Sequence, residues 1–181
     1  MKKFELTNEF ITNMFGTKLF RIRALVEFGD VEAGELGGYV EKESNLGHDD
    51  NAWVYDNAWV YGDAQVSGDA QVSGDALVYG NARVYGNAWV YGNALVCSDE
   101  DYAYAHGFGS VNRTTTFFRL KDGGVGVRCG CFYGTLAQFR DKIRETHGET
   151  KKAQEYLMLA DLMELRFEED ENEVGNRKYV E

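Results

Sequence analysis

The chain has 181 residues, 44% hydrophobic and 27% charged, a globular composition with bulk for one domain or two small ones. A formal net charge of -11 argues against binding driven by phosphate contacts with nucleic acid, which needs clustered Lys and Arg, but leaves open an acidic imitation of a nucleic acid. No apolar run approaches the ~18 residues of a membrane helix, no signal-peptide core follows Met1, and three cysteines lack framework spacing, so a reducing cytoplasmic setting is expected.

Residues 1–35 read as a strand-rich N-terminal cap. Lys18 to Ala24 alternates, with Phe20, Ile22 and Ala24 on one face and basic residues on the other. Residues 36–100 read as a solenoid. Its first part, 36–50, is a degenerate coil with Val40 and Leu46 pointing inward and Gly37-Gly38 at a corner.

From Asn51 to Ser98 a six-residue unit then recurs. Val54, Val60, Val66, Val72, Val78, Val84, Val90 and Val96 hold one slot, and Ala58, Ala64, Ala70, Ala76, Ala82, Ala88 and Ala94 hold another four residues on. Branched Val suits a pleated strand and fills the interior, while Ala turns inward where the coil narrows. The intervening Gly-Asn or Gly-Asp pairs, such as Gly80-Asn81, supply residues that tolerate the positive φ of a tight corner. A fixed short period of this kind predicts a β-solenoid.

Residues 101–113 are expected to be a connection and 114–167 a ββαα unit covering the open end of the solenoid. Thr114 to Leu120 and Val125 to Phe132 are strand-like runs around the Lys121-Asp122-Gly123-Gly124 turn. Thr135 and Gln138 have capping-box spacing, so a helix starts there with Leu136, Phe139 and Ile143 as its apolar stripe and Gly148 as its stop. A second helix, 149–167, carries Ala153, Tyr156, Leu157, Ala160 and Met163 at helical spacing. Asp99-Glu100-Asp101 reads as an acidic loop, and 168–181 as a solvated acidic tail.

The hexads resemble the hexapeptide-repeat, left-handed parallel β-helix family, in which three hexads complete a triangular coil. That resemblance implies the handedness, and it implies trimers with parallel helix axes. The family includes acyltransferases, carbonic-anhydrase-like enzymes and non-enzymatic scaffolds, so it does not settle function. Taken with G-E-L-G-G-Y-V-E-K-E-S-N-L before the array and G-C-F-Y-G-T-L-A-Q-F after it, the chain is similar to small phage and prophage hexapeptide-repeat proteins. This implies a genomic setting and carries over no catalytic residues.

Three hexads per coil would stack residues 18 apart and sort the outward side chains into three faces. The first shows Trp53 and Tyr55, Gln71 and Ser73, then Trp89 and Tyr91; these are the candidate ligand-binding residues, because aromatic layers about 9 to 10 Å apart around Gln71 would admit a flat ring. The second shows Trp59 and Tyr61, Leu77 and Tyr79, then Leu95 and Cys97; it is expected to be buried between subunits, or else under the C-terminal unit. The third carries Gln65 and Ser67, then Arg83 and Tyr85.

Acyl transfer would need a placed histidine, and His106 is the single candidate base. Cys129 and Cys131 make a poor zinc site by themselves, with His147 the one plausible third ligand, so neither metal nor cofactor is expected. The resulting expectation is a non-enzymatic, trimeric, phage-type protein that sequesters a host protein or a small nucleotide-like signal, as counter-defence or host modulation. An acyltransferase and an acidic DNA mimic are the alternatives.

Overall fold

The computed structural model describes residues 1–109 and 111–168, so the expected acidic tail lies, beyond Glu168, outside the described residues. The chain opens with an antiparallel hairpin, β1 (Phe4–Thr12) and β2 (Lys18–Ala24), whose second strand pairs antiparallel with β3 (Leu36–Val40). A single 3-10 turn, Glu43–Asn45, follows. Asn45 is buried there and donates from Nδ2 to the carbonyls of Gly62 and Ala64, at 3.1 and 2.8 Å, which staples the irregular first coil to the regular second.

The array then forms two-residue strands: β4 (Trp53–Val54), β5 (Trp59–Val60), β6 (Gln65–Val66), β7 (Gln71–Val72), β8 (Leu77–Val78), β9 (Arg83–Val84), β10 (Trp89–Val90) and β11 (Leu95–Val96). Their parallel register matches the expected stacking. Trp53, Gln71 and Trp89 lie above one another, as do Trp59, Leu77 and Leu95, and Gln65 pairs with Arg83. Tyr39 pairs with Trp59 and Leu46 with Val66, offsets of 20 residues rather than 18, so the first coil is two residues longer than its successors.

Every Val and Ala of the repeat is buried in one continuous core, as their slots demand. Corner glycines take positive φ. At Gly80, φ is +66° and an added Cβ would lie 2.5 Å from the Cys97 carbonyl, so both conformation and space require glycine. Asp56 takes the left-handed conformation without being glycine, at φ 54°, and its Oδ2 accepts a hydrogen bond from the Gly74 amide at 3.0 Å.

Each end of the stack is closed differently. The N-terminal hairpin continues the second face into a six-stranded sheet ordered β1-β2-β3-β5-β8-β11. The C-terminal end is covered by a four-stranded antiparallel sheet, β12 (Tyr102–Phe108), β13 (Arg113–Arg119), β14 (Val125–Cys129) and β15 (Phe132–Thr135), backed by α1 (Leu136–His147) and α2 (Lys151–Phe167). Thr135 caps α1 with the capping box expected from its spacing. Residues 101–113 are therefore not merely a connection: β12 lies within them, in a Tyr- and Ala-rich run that forms a strand because β13 offers a partner edge. The unit is ββββαα, since Phe132–Thr135 also pairs with β14.

The last residue of the acidic loop, Asp101, is buried. It is 1% exposed, and Arg119, 7% exposed, places Nε 3.4 Å from its Oδ1. The amides of Cys97 and Ser98 both donate to Asp101 Oδ2 at 3.0 Å. A buried carboxylate needs such partners, and here they tie the last coil to β13. Among the described residues no helix is long and apolar enough to cross a membrane.

Candidate functional site

On the first face the structure separates the six candidate ligand residues. Trp53 is 0% exposed, so it offers no ring surface to a ligand. Phe28, from the loop between β2 and β3, meets its ring edge-on at 5.3 Å, and Phe4 does so at 6.2 Å. The stacking expectation for Trp53 fails because the N-terminal cap folds over the first coil. Ser73 is also buried, accepting a hydrogen bond at 2.9 Å from Trp89 Nε1.

Trp89 and Tyr91 are half-buried beneath the C-terminal sheet. The Arg128 guanidinium sits 3.9 Å above the Trp89 ring and 4.9 Å from that of Tyr91, and Tyr133 packs against Tyr91 at 4.9 Å. Between the two caps a cleft of about 400 Å³ remains, lined by Gly29, Asp30, Asn51, Tyr55, Asp69, Gln71, Asn87, Ala88 and Trp89. Asn51, Asp69 and Asn87 are the same corner position in successive coils, and Asn51 donates to Asp69 Oδ1 at 2.8 Å. Burial, with the carboxylates of Glu35, Asp30 and Asp56 nearby, pushes the Tyr55 hydroxyl above its usual range. Amides and carboxylates beside an aromatic edge suit a polar ring with hydroxyl or amine groups, while Asp30 and Asp69 repel phosphates.

On the second face Trp59, Tyr61, Leu77, Tyr79 and Leu95 come together as the register requires. Tyr61 and Tyr79 stack at 5.2 Å with planes 8° apart, and burial, aided by Cys97, pushes Tyr79 up to about 12. These five residues line a groove of about 180 Å³ together with Asn13, Met14 and Phe15. The turn between β1 and β2 supplies the last three and is rigid: Asn13 Oδ1 accepts from the amides of Phe15 and Thr17, at 3.0 and 2.9 Å. Met14 and Phe15 are 67% and 62% exposed. The C-terminal unit contributes no described residue to this groove, so the alternative that it folds back over the face is not realised there.

His106 lies exposed on β12, its Nδ1 2.8 Å from Thr114 Oγ1. His147 ends α1 with its ring stacked on Tyr156 at 6.1 Å. Cys129, Cys131 and His147 line one cleft, yet among the described residues no group of three or more His, Cys, Asp or Glu side chains could hold a metal ion. On the solenoid several acidic side chains are engaged locally, Asp63 with Lys42 at 3.0 Å and Asp99 with Arg83 at 2.5 Å, rather than arrayed as a ladder of free charges.

Sequence reading missed three contributors: the loop with Phe28 and Asp30, the Met14–Phe15 turn, and Arg128. Only the turn carried a signal, two large apolar residues between Asn13 and Gly16. Comparison with curated proteins gave no match. Residues 52–68, 70–85, 78–92 and 82–98 match the YdcK beta solenoid repeat family, and with the coil register above this makes the centre of the chain a β-solenoid repeat array.

Proposed function

We propose that the protein acts by binding, as a self-associating β-helix of the hexapeptide type, left-handed and trimeric as the resemblance implies. One observation carries this reading: the second face is apolar at every regular layer, Trp59, Leu77 and Leu95, and a rigid turn presents Met14 and Phe15 beside it in the same groove. Apolar surface of that continuity on a small protein is the signature of a contact surface. The subunits meet on this face, leaving the first-face cleft to a small ligand.

For that ligand the cleft favours the base or sugar part of a nucleotide-like molecule over its phosphates, given Asp30 and Asp69 in its lining. In the phage-like setting, the role is sequestration of such a signal, or of a host protein, in the host cytoplasm. His106, exposed on β12 and within hydrogen-bond distance of Thr114, gives no support to the acyltransferase alternative. Locally paired acidic groups give none to a DNA mimic.

Sedimentation equilibrium tests the assembly. Three times the single-chain mass at micromolar concentration is expected, and Leu77→Glu with Leu95→Glu should reduce it to one, because burying unpaired carboxylates is costly. A wild-type protein of single-chain mass removes the proposal. Calorimetry with nucleosides and their phosphates tests the cleft, with Gln71→Ala expected to abolish nucleoside binding.

A further inference from the structure

A second cleft, of about 220 Å³, opens in the C-terminal unit between the ends of β13 and β14 and the two helices. It is independent of the assembly and the solenoid cleft. Phe132, half-buried, forms an aromatic wall of the cleft and is backed by the buried Phe139, their ring centroids 5.6 Å apart. Arg113, Lys142 and His147 stand around the cleft, and among the described residues no carboxylate lines it.

That clustering is out of character for this chain. Its net charge is -11, and elsewhere Arg23, Arg83, Arg119 and Arg140 each meet a carboxylate. Lys142 is held by Glu145 at 2.8 Å, but Arg113 has no ion-pair partner among the described residues. The Arg113 guanidinium rests against the turn at Gly130, where φ is +58° and an added Cβ would collide with it. This glycine is thus needed both for the hairpin and for the position of the charge. The next residue, Cys131, places an exposed thiol at the rim.

Cations beside an aromatic wall recognise a flat anion: the guanidinium takes a carboxylate or phosphate through paired N–H donors, and the ring takes the apolar body. The cavity is smaller than the ~300–1,000 Å³ usual for drug-sized ligands, which limits the occupant to one ring with its charged group. We propose that this cleft binds a single-ring organic anion, an aryl carboxylate or aryl phosphate, with the anionic group on Arg113 and Lys142, the ring against Phe132, and the Cys131 thiol alongside.

Calorimetry on the full chain would use benzoate, phenyl phosphate and neutral benzamide. One or both anions should bind and benzamide should not, the tighter anion naming the preferred group. Arg113→Gln should weaken binding at least tenfold, with Arg113→Lys retaining part of it. Equal binding of benzamide, no binding of either anion, or full affinity in a folded Arg113→Gln protein would each overturn the proposal.

The wild-type thiols supply a measurement that needs no variant. Alkylation forms the S–C bond, expels iodide and releases the thiol proton to buffer. The ratio of iodoacetate to iodoacetamide rates at Cys131, followed by peptide mass spectrometry, should fall several-fold when the tighter anion is added. A ratio at Cys131 unmoved by either anion counts against the cleft.

Discussion

Arg128, on β14, lays its guanidinium 3.9 Å above the indole of Trp89 in the last coil, and this contact joins the C-terminal sheet to the solenoid's first face. The Trp89 amide donates to Thr116 Oγ1 at 2.9 Å and its indole N–H to Ser73 Oγ at 2.9 Å, so the ring is held from both sides of the joint. Arg128→Ala should lower stability by about 1–2 kcal/mol, the range of a desolvated cation–π pair. Urea unfolding followed by tryptophan fluorescence checks this; an unchanged midpoint would mean the stack is incidental.

The interior and exterior of the repeat should respond differently to charge. Val72 is fully buried in the middle coil, and Val72→Asp should cost more than about 4 kcal/mol and prevent folding. Gln65, exposed on the third face, should accept Lys within about 0.5 kcal/mol. Comparable melting temperatures for the two variants would contradict the assignment of faces.

Two glycines with positive φ should differ in what they tolerate. Gly16 at φ +83° has nothing within 4 Å of an added Cβ, so Gly16→Ala carries only the conformational cost of roughly 1–2 kcal/mol. Gly80→Ala adds a collision with the Cys97 backbone and should cost about 1–3 kcal/mol more. Denaturant midpoints of the two proteins give the comparison.

Met14→Ser combined with Phe15→Ser should weaken association while leaving the melting temperature of the dissociated chain nearly unchanged. Both side chains are exposed, and the turn itself is held by Asn13. Sedimentation and calorimetry on the same samples separate the two effects. Undiminished assembly would show that the turn lies outside the contact.

Lys3 should leave a signature in the pH dependence of stability. Its ammonium is buried, donates to the carbonyls of Ala52 and Asp50 at 2.8 and 3.2 Å, and lies 4.5 Å from the Phe28 ring, and burial lowers its pKa from 10.5 to about 8. Between those values the unfolded chain binds the extra proton, so this group makes stability rise with pH from about 8 to 10.5 and stay flat below. In Lys3→Met that rise should be missing, whatever the offset from the lost hydrogen bonds. Parallel curves for the two proteins between pH 8 and 10.5 would refute the shift.

The sequence by itself determined the repeat: its period, the inward Val and Ala and the glycine corners, while the resemblance to hexapeptide-repeat β-helices supplied the 18-residue stacking that brings Trp59, Leu77 and Leu95 onto one face. It determined these because a solenoid is locally specified, each residue meeting its equivalent one coil away through a rule the neighbouring hexads repeat. The start and cap of α1 were legible for the same reason, since Thr135 and Gln138 act across three residues. Tertiary structure decided the ends. Trp53 looked outward by its slot, but Phe28 and Phe4 cover it from a cap whose path no periodicity describes. Asp101 read only as part of an acidic loop, but the fold buries it against Arg119. Residues 102–108 became a strand only because β13 lay beside them, and Arg128 reached Trp89 across 39 residues of chain. These contacts depend on loop closure and on the shape of what already stands at each end of the stack, which neither propensity nor period encodes.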